Sequence, residues 1–279
     1  MQNRHVDFVK TIVVLDACVL FPMPLCDTLL RIAEAGLYRL HFSQEILDET
    51  TRNLVKKNRM NEQQAYRYQQ QIKQCFPESI VEGYESLISS MTNDIKDRHV
   101  LAAAIKCKAD TIVTSNLGDF PPESLEPLGI KALHPDRFLL DLFSDYGMDI
   151  GVEIIKQQAA DLKNPPMTIR DVIERLSGQV PDFAKCIMYC EYSGRLSQIA
   201  LKTLELVGDK KDKTLSYEGE EYCFEISNKT LTIKQKLRGE ILKGTEDTIN
   251  CDFTLEDIEK LEAFEQQLDR EFHKSVTKN

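Results

Sequence analysis

Hydrophobic and polar positions alternate between two periods along the first half of this chain. Thr11 to Leu15 is a short β-branched run, read as a first strand. Leu25, Leu29, Leu30 and Ala33 then recur at helical spacing, with Pro24 in the first turn and Gly36 as a stop. Leu40 to Phe42 reads as a second strand, and Ser43 caps a helix running toward Lys57. Asn61 to Phe76 forms another helical pattern, closed by Pro77. Asp97 opens a further one, whose apolar face carries Val100, Leu101, Ala104 and Ile105 before a strand at Thr111. Strands and helices joined this closely predict an α/β fold with a largely parallel sheet.

Beyond Pro135 the pattern is helical. Gly151 to Lys163 is one segment, broken at Pro165-Pro166. Thr168 and Asp171 form the signature of a capping box for a helix ending near Gly178, and Asp182 to Tyr192 is a third segment. A separate unit is expected from Arg195, beginning with a helix through Leu206. Tyr222 to Ile226 and Thr230 to Lys234 alternate around Ser-Asn-Lys, which predicts a hairpin. Thr254 and Asp257 cap a last helix with Leu255, Ile258, Leu261, Leu268 and Phe272 on its apolar stripe and acids on its outer face. The expected organisation is therefore residues 1–146, a helical extension over 147–194, and a small α+β unit over 195–279.

Composition narrows the class. At 279 residues, 42% hydrophobic and 29% charged, the chain suits a globular protein with a full core. No apolar run approaches the roughly 18 residues that span a bilayer, so no membrane partner is expected. Met1 to Asp7 has no apolar signal core. The eight cysteines are scattered without a Cys-x-x-Cys pair, and Cys186 and Cys190 lack a neighbour to complete a zinc set. Reduced thiols in a cytoplasm are the expectation. A net charge of −10 argues against non-specific coating of nucleic acid. Within it, however, residues 51–76 carry Arg52, Lys56, Lys57, Arg59, Arg67 and Lys73 against Glu62 alone. Tyr66 and Tyr68 lie among these cations and offer rings for stacking on bases. A solvated helix face would look the same.

The chemistry lies in four separated acids. Asp16 follows the first strand directly; Glu49 lies on the helix begun by Ser43; Asp97 opens a helix; Asp119 follows the strand at Thr111. A parallel sheet presents its carboxyl strand ends to one crevice, where such acids can meet. Converging carboxylates repel, and a hard divalent cation is the usual reason to bring them together. Each has a plain structural alternative: Asp97 can cap its helix, Asp119 can make a turn, and Glu49 can be an ordinary surface residue. Glu45 lies one helical turn before Glu49, and periodicity does not separate the two.

Val14 to Val19, Ser43 to Thr50, Asp97 to Ala104 and Ile112 to Pro121, taken in this order and spacing, resemble PIN-domain nucleases. The nearest resemblance is to bacterial toxins of the VapC class, and it continues through Asn164 to Thr168 toward Phe183. It implies a PIN-like parallel sheet flanked by helices and a metal-dependent endoribonuclease leaving a 5′-phosphate and a 3′-hydroxyl. It also implies Asp16, Glu49, Asp97 and Asp119 as catalytic acids, with Asp16, Asp97 and Asp119 holding Mg2+ or Mn2+. Asp94 is a further, water-mediated ligand in this scheme, and Thr114 and Asn116 are polar helpers. Glu49 rather than Glu45 follows from the family pattern. Arg52, Lys56, Lys57, Arg59 and Arg67 become a track for the RNA backbone, and tRNA is the substrate class suggested. An antitoxin protein is the expected partner; RNA processing, phage defence or a non-catalytic RNA-binding scaffold are the alternatives. The unit from Arg195 has no counterpart in compact toxins. From Thr254 to Phe272 it sets seven acids against Lys260 and Arg270, a surface able to cover a basic track or dock a second subunit as a homodimer. A phosphatase of the haloacid-dehalogenase type is excluded, since it needs an acid where Cys18 stands.

Overall fold

The computed structural model describes residues 11–211, 214–245 and 248–276, with side chains as far as Glu271. Met1 to Asp7 and the Phe272 side chain, both used above, lie outside the described residues. The chain divides into two compact units, Met1–Ala184 and Lys185–Asn279.

The first unit is built on strands β1 (Ile12–Leu15), β2 (Arg39–Ser43), β3 (Ile80–Val81), β4 (Thr111–Val113) and β5 (Lys131–Leu133). They form one sheet in the order β3-β2-β1-β4-β5, parallel throughout. Its helices are α1 (Ala17–Leu20), α2 (Met23–Glu34), α3 (Gln44–Lys56), α4 (Glu62–Cys75), α5 (Arg98–Cys107), α6 (Pro122–Leu125), α7 (Pro135–Tyr146), α8 (Met148–Asp161) and α9 (Ile169–Ser177). Val13, Val14, Leu15, Ile112 and Val113 are fully buried, as a sheet covered on both faces requires. The chain leaves β1 toward β2 on one side and returns to β4 on the other. Such a switch point opens a crevice at the carboxyl ends of β1 and β4.

Local chemistry sets the helix starts. Ser43 accepts a hydrogen bond from the Ile46 amide, Asn61 and Gln64 form a reciprocal capping box, and Thr168 and Asp171 form another. α8 begins three residues before the expected Gly151, because Gly147 at φ +97 ends α7 and restarts the chain. β3 and β5 went unpredicted; they are two and three residues long.

Helix α10 (Pro181–Val207) is one continuous helix of 27 residues, where two had been expected with a break near Arg195. Gly194 interrupts nothing; a Cβ there would meet no atom within 4 Å, and no proline intervenes. From Lys185 onward it belongs to the second unit with β6 (Asp209–Lys211), β7 (Thr214–Glu218), β8 (Tyr222–Ser227), β9 (Thr230–Gln235), β10 (Gly239–Gly244), β11 (Ile249–Cys251) and α11 (Leu255–Val276). The six strands form an antiparallel meander in sequential order. The predicted hairpin is β8–β9, whose turn residues Asn228 and Lys229 both have positive φ, as a type I′ turn needs. The outer face of α11 is less acidic than expected: Asp257 and Glu265 are turned inward, at 3% and 9% exposure.

Candidate active site

Asp16 stands at the end of β1 in the middle of the sheet. Its amide donates to the Val113 carbonyl at 3.1 Å, so the backbone ladder carries it to the edge of the crevice. The side chain is 3% exposed and does not cap α1. Instead its Oδ2 accepts from Thr114 Oγ1 at 2.7 Å and from Cys18 Sγ at 3.0 Å. Thr114 is fully buried just past β4, and its hydroxyl accepts from the Asn116 amide at 3.0 Å. Cys18 in turn accepts from the Ser115 amide at 3.1 Å. Burial, then the charge of Asp16, push the Cys18 thiol up to about 12, which keeps it protonated as a donor. Cys18 had no role in the sequence reading beyond excluding a phosphatase; its proximity to Thr114 is tertiary.

Asp97 precedes α5 but its carboxylate makes no capping hydrogen bond, so the plain structural reading of this residue is not realised. Burial, followed by the charges of Asp16, Asp119, Glu49 and Asp94, raises its carboxyl to about 7. Four acids from neighbouring segments therefore act on Asp97 at the crevice. Asp119, half-buried, ends the turn Leu117–Asp119 begun at Asn116, and its carbonyl accepts from the Asp94 amide at 3.1 Å. That bond ties the two acidic loops together. Asp94 itself is exposed, and one of its oxygens accepts from the Lys96 amide at 3.0 Å, holding the turn that leads to Asp97. The Asn116 side chain is exposed and its amide is the group used, toward Thr114.

Glu49 and Glu45 differ in surroundings. Glu49 is among the charges felt by Asp97, whereas Glu45 receives the Tyr84 hydroxyl at 3.5 Å. His99 of α5, absent from the sequence reading, lies between them: Nε2 is 3.7 Å from Glu49 Oε2 and Nδ1 is 3.8 Å from Glu45 Oε2.

The cationic residues Arg52, Lys56, Lys57, Arg59 and Arg67 are exposed on α3, α4 and the turn between them. Among the described residues none has an acidic partner. Arg52, Lys56 and Tyr66 line a groove of about 420 Å³ with Asp48, Thr51 and Gln69. Tyr66 is 64% exposed there. Tyr68 is not available for stacking: its hydroxyl lies 2.9 Å from Cys26 Sγ, inside the fold.

A donor set made entirely of carboxylate oxygens fits a hard divalent cation. Among the described residues, no three His, Cys, Asp or Glu side chains close a ligand cage by themselves. No described helix is long and apolar enough to cross a membrane.

A parallel sheet with this strand order, gathering acids from the ends of β1 and β4 and the starts of neighbouring helices, is PIN-like. Residues 11–118 match the PIN domain family, and residues 135–187 match the family described as the VapC50 C-terminal domain. Over 102 residues the chain is 47% identical to the Mycobacterium tuberculosis protein named "Putative ribonuclease VapC50". The match covers 37% of this chain and 60% of that relative. Over these segments the chain is similar to PIN-domain proteins of the VapC type, and a further unit lies beyond them.

Proposed function

We propose that the protein is a metal-dependent endoribonuclease of the VapC type, a toxin acting on RNA in the cytoplasm and held in check by an antitoxin protein. The observation that carries this reading is the gathering of Asp16, Glu49, Asp94 and Asp119 around Asp97. Asp16, Asp97 and Asp119 would hold Mg2+ or Mn2+, with Glu49 and Asp94 completing the site through water. A bound ion of this kind makes water more acidic and neutralises charge on the attacked phosphodiester. Thr114 and Cys18 both donate to one oxygen of Asp16 and fix its carboxylate. Burial, then the charges of the neighbouring acids, raise the carboxyl of half-buried Asp97 to about 7. The exposed cations of α3 and α4 attract the phosphate backbone, and Tyr66 offers a face to an unstacked base. A structured RNA such as tRNA is the substrate class, and a homodimer the assembly.

The test is RNA cleavage by the full chain with Mg2+ or Mn2+, with EDTA, and after Asp16→Asn. EDTA should abolish cleavage, and the variant should slow it by about 10²–10³-fold while remaining folded. Cleavage by Asp16→Asn at the wild-type rate removes the assignment.

A further inference from the structure

Glu45 and Glu49 lie one turn apart on α3, and two acids at that spacing on a helix repel each other and compete for the same neighbours. What separates them is on α5. The His99 ring is 5% exposed and presents one nitrogen to each carboxylate, at 3.7 Å to Glu49 and 3.8 Å to Glu45. Neither distance is a closed hydrogen bond, and the buried Nδ1 has no hydrogen-bond partner among the described residues. A buried polar atom without a partner is costly, so a histidine serving only to fill space would be better replaced by leucine. Glu45 has a second neighbour in the Tyr84 hydroxyl at 3.5 Å, on the side of α3 where Gln44, Glu45, Arg52 and Tyr84 line a separate groove. Among the described residues Glu49 has no such alternative, and its charge is one of those that reach Asp97.

We propose that His99 is a positioning residue that, together with Tyr84, holds Glu45 away from the acid cluster and fixes Glu49 toward it. His99 thereby decides which of two otherwise equivalent glutamates serves the site. The inference rests on the ribonuclease reading above, because it assigns work to Glu49 within that site. It requires no proton transfer by His99.

The experiment uses the full chain with Mn2+ as the probe, binding followed by titration calorimetry and cleavage followed at varied RNA concentration. Glu49→Gln should weaken Mn2+ binding about tenfold, and Glu45→Gln should leave it close to wild type. His99→Leu keeps volume but removes both nitrogens. It should weaken Mn2+ binding about tenfold and lower kcat with KM for RNA unchanged. In that background Glu45→Gln and Glu49→Gln should become equal in effect. His99→Gln, which retains an amide donor near Nε2, should restore most of the binding and the asymmetry. A folded His99→Leu protein with wild-type Mn2+ affinity, or with the asymmetry between the two glutamates intact, overturns the proposal. If His99→Leu does not fold, His99→Asn, too short to reach both carboxylates, is judged by the same two criteria. A wild-type protein that neither binds Mn2+ nor cleaves RNA would instead overturn the ribonuclease reading itself.

Discussion

Asp97 and Asp257 are both aspartates at the start of a helix, and they live in opposite company. Asp257 is 3% exposed, and burial by itself would raise its carboxyl. Donors outweigh that: the Thr254 amide and hydroxyl, the Tyr222 hydroxyl and Arg238 Nη1, each at 2.8–2.9 Å, bring it below the usual carboxylate range. Nearby in the second unit, Glu265 receives Arg195 and Lys202, and Lys202 also reaches Asp269 at 2.7 Å. For Asp97 burial is joined by like charge. Its electrostatic neighbours are four further acids, and its carboxyl is raised to about 7. Acids that hold a fold together bring their counterions with them. Acids gathered at a strand-end crevice repel one another, and a hard divalent cation is the usual reason to bring them together. The exposed cations of α3 and α4 lack acidic partners among the described residues.

The contrast can be broken most sharply in the second unit. Asp257→Ala strands Arg238, the Tyr222 hydroxyl and the Thr254 amide together, and should cost about 3–5 kcal/mol in urea unfolding. A loss below about 1 kcal/mol would place that network among ordinary surface pairs and blur the distinction.

Asp97→Asn should have the opposite sign. The folded-state value lies above the ordinary 3.8, so the contribution of Asp97 to stability is present below that value and lost as pH rises through about 7. Removing the charge should therefore stabilise the metal-free protein at pH 8 by about 1 kcal/mol, after allowance for the screening of a half-exposed group. The gain should vanish near pH 4, and RNA cleavage should be lost at either pH. Melting curves across this range decide the matter; a variant destabilised at pH 8 would mean that Asp97 has a partner after all.

The smallest effect concerns the cations. Replacing Lys56 and Lys57 by Glu should flatten the salt dependence of RNA binding by about two units of slope, roughly one per lysine, with Mn2+ affinity unchanged. An unaltered slope would return both lysines to a solvated face.

Much of this was legible along the chain because it depends on neighbours in sequence. Ser43, Asn61 and Thr168 cap the helices they precede, and Asn228-Lys229 turns the hairpin they separate, through bonds spanning only a few residues. The alternation of β-branched runs with helical stretches announced the parallel sheet. The short strands β3 and β5 were not legible, since two or three residues carry no period. Nor were β6, β7, β10 and β11, where polar positions such as Asp209 to Lys211 are exposed throughout and pairing is decided by the adjacent strand.

For the site, the sequence by itself determined which acids stand at strand ends and helix starts, because the apolar periodicity around Asp16, Asp97 and Asp119 places them there. Tertiary structure decided the rest. It turned Tyr68 inward to Cys26 and left Tyr66 outside, though both lie on one helix. It put Thr114 and Cys18, 96 residues apart, on the same oxygen of Asp16. It set His99 between Glu45 and Glu49, a distinction that helical periodicity cannot make because residues one turn apart share a face. A residue's secondary structure follows from the pattern of its neighbours in sequence, but the charge it feels depends on side chains that only the packing of α3 and α5 around the sheet brings near.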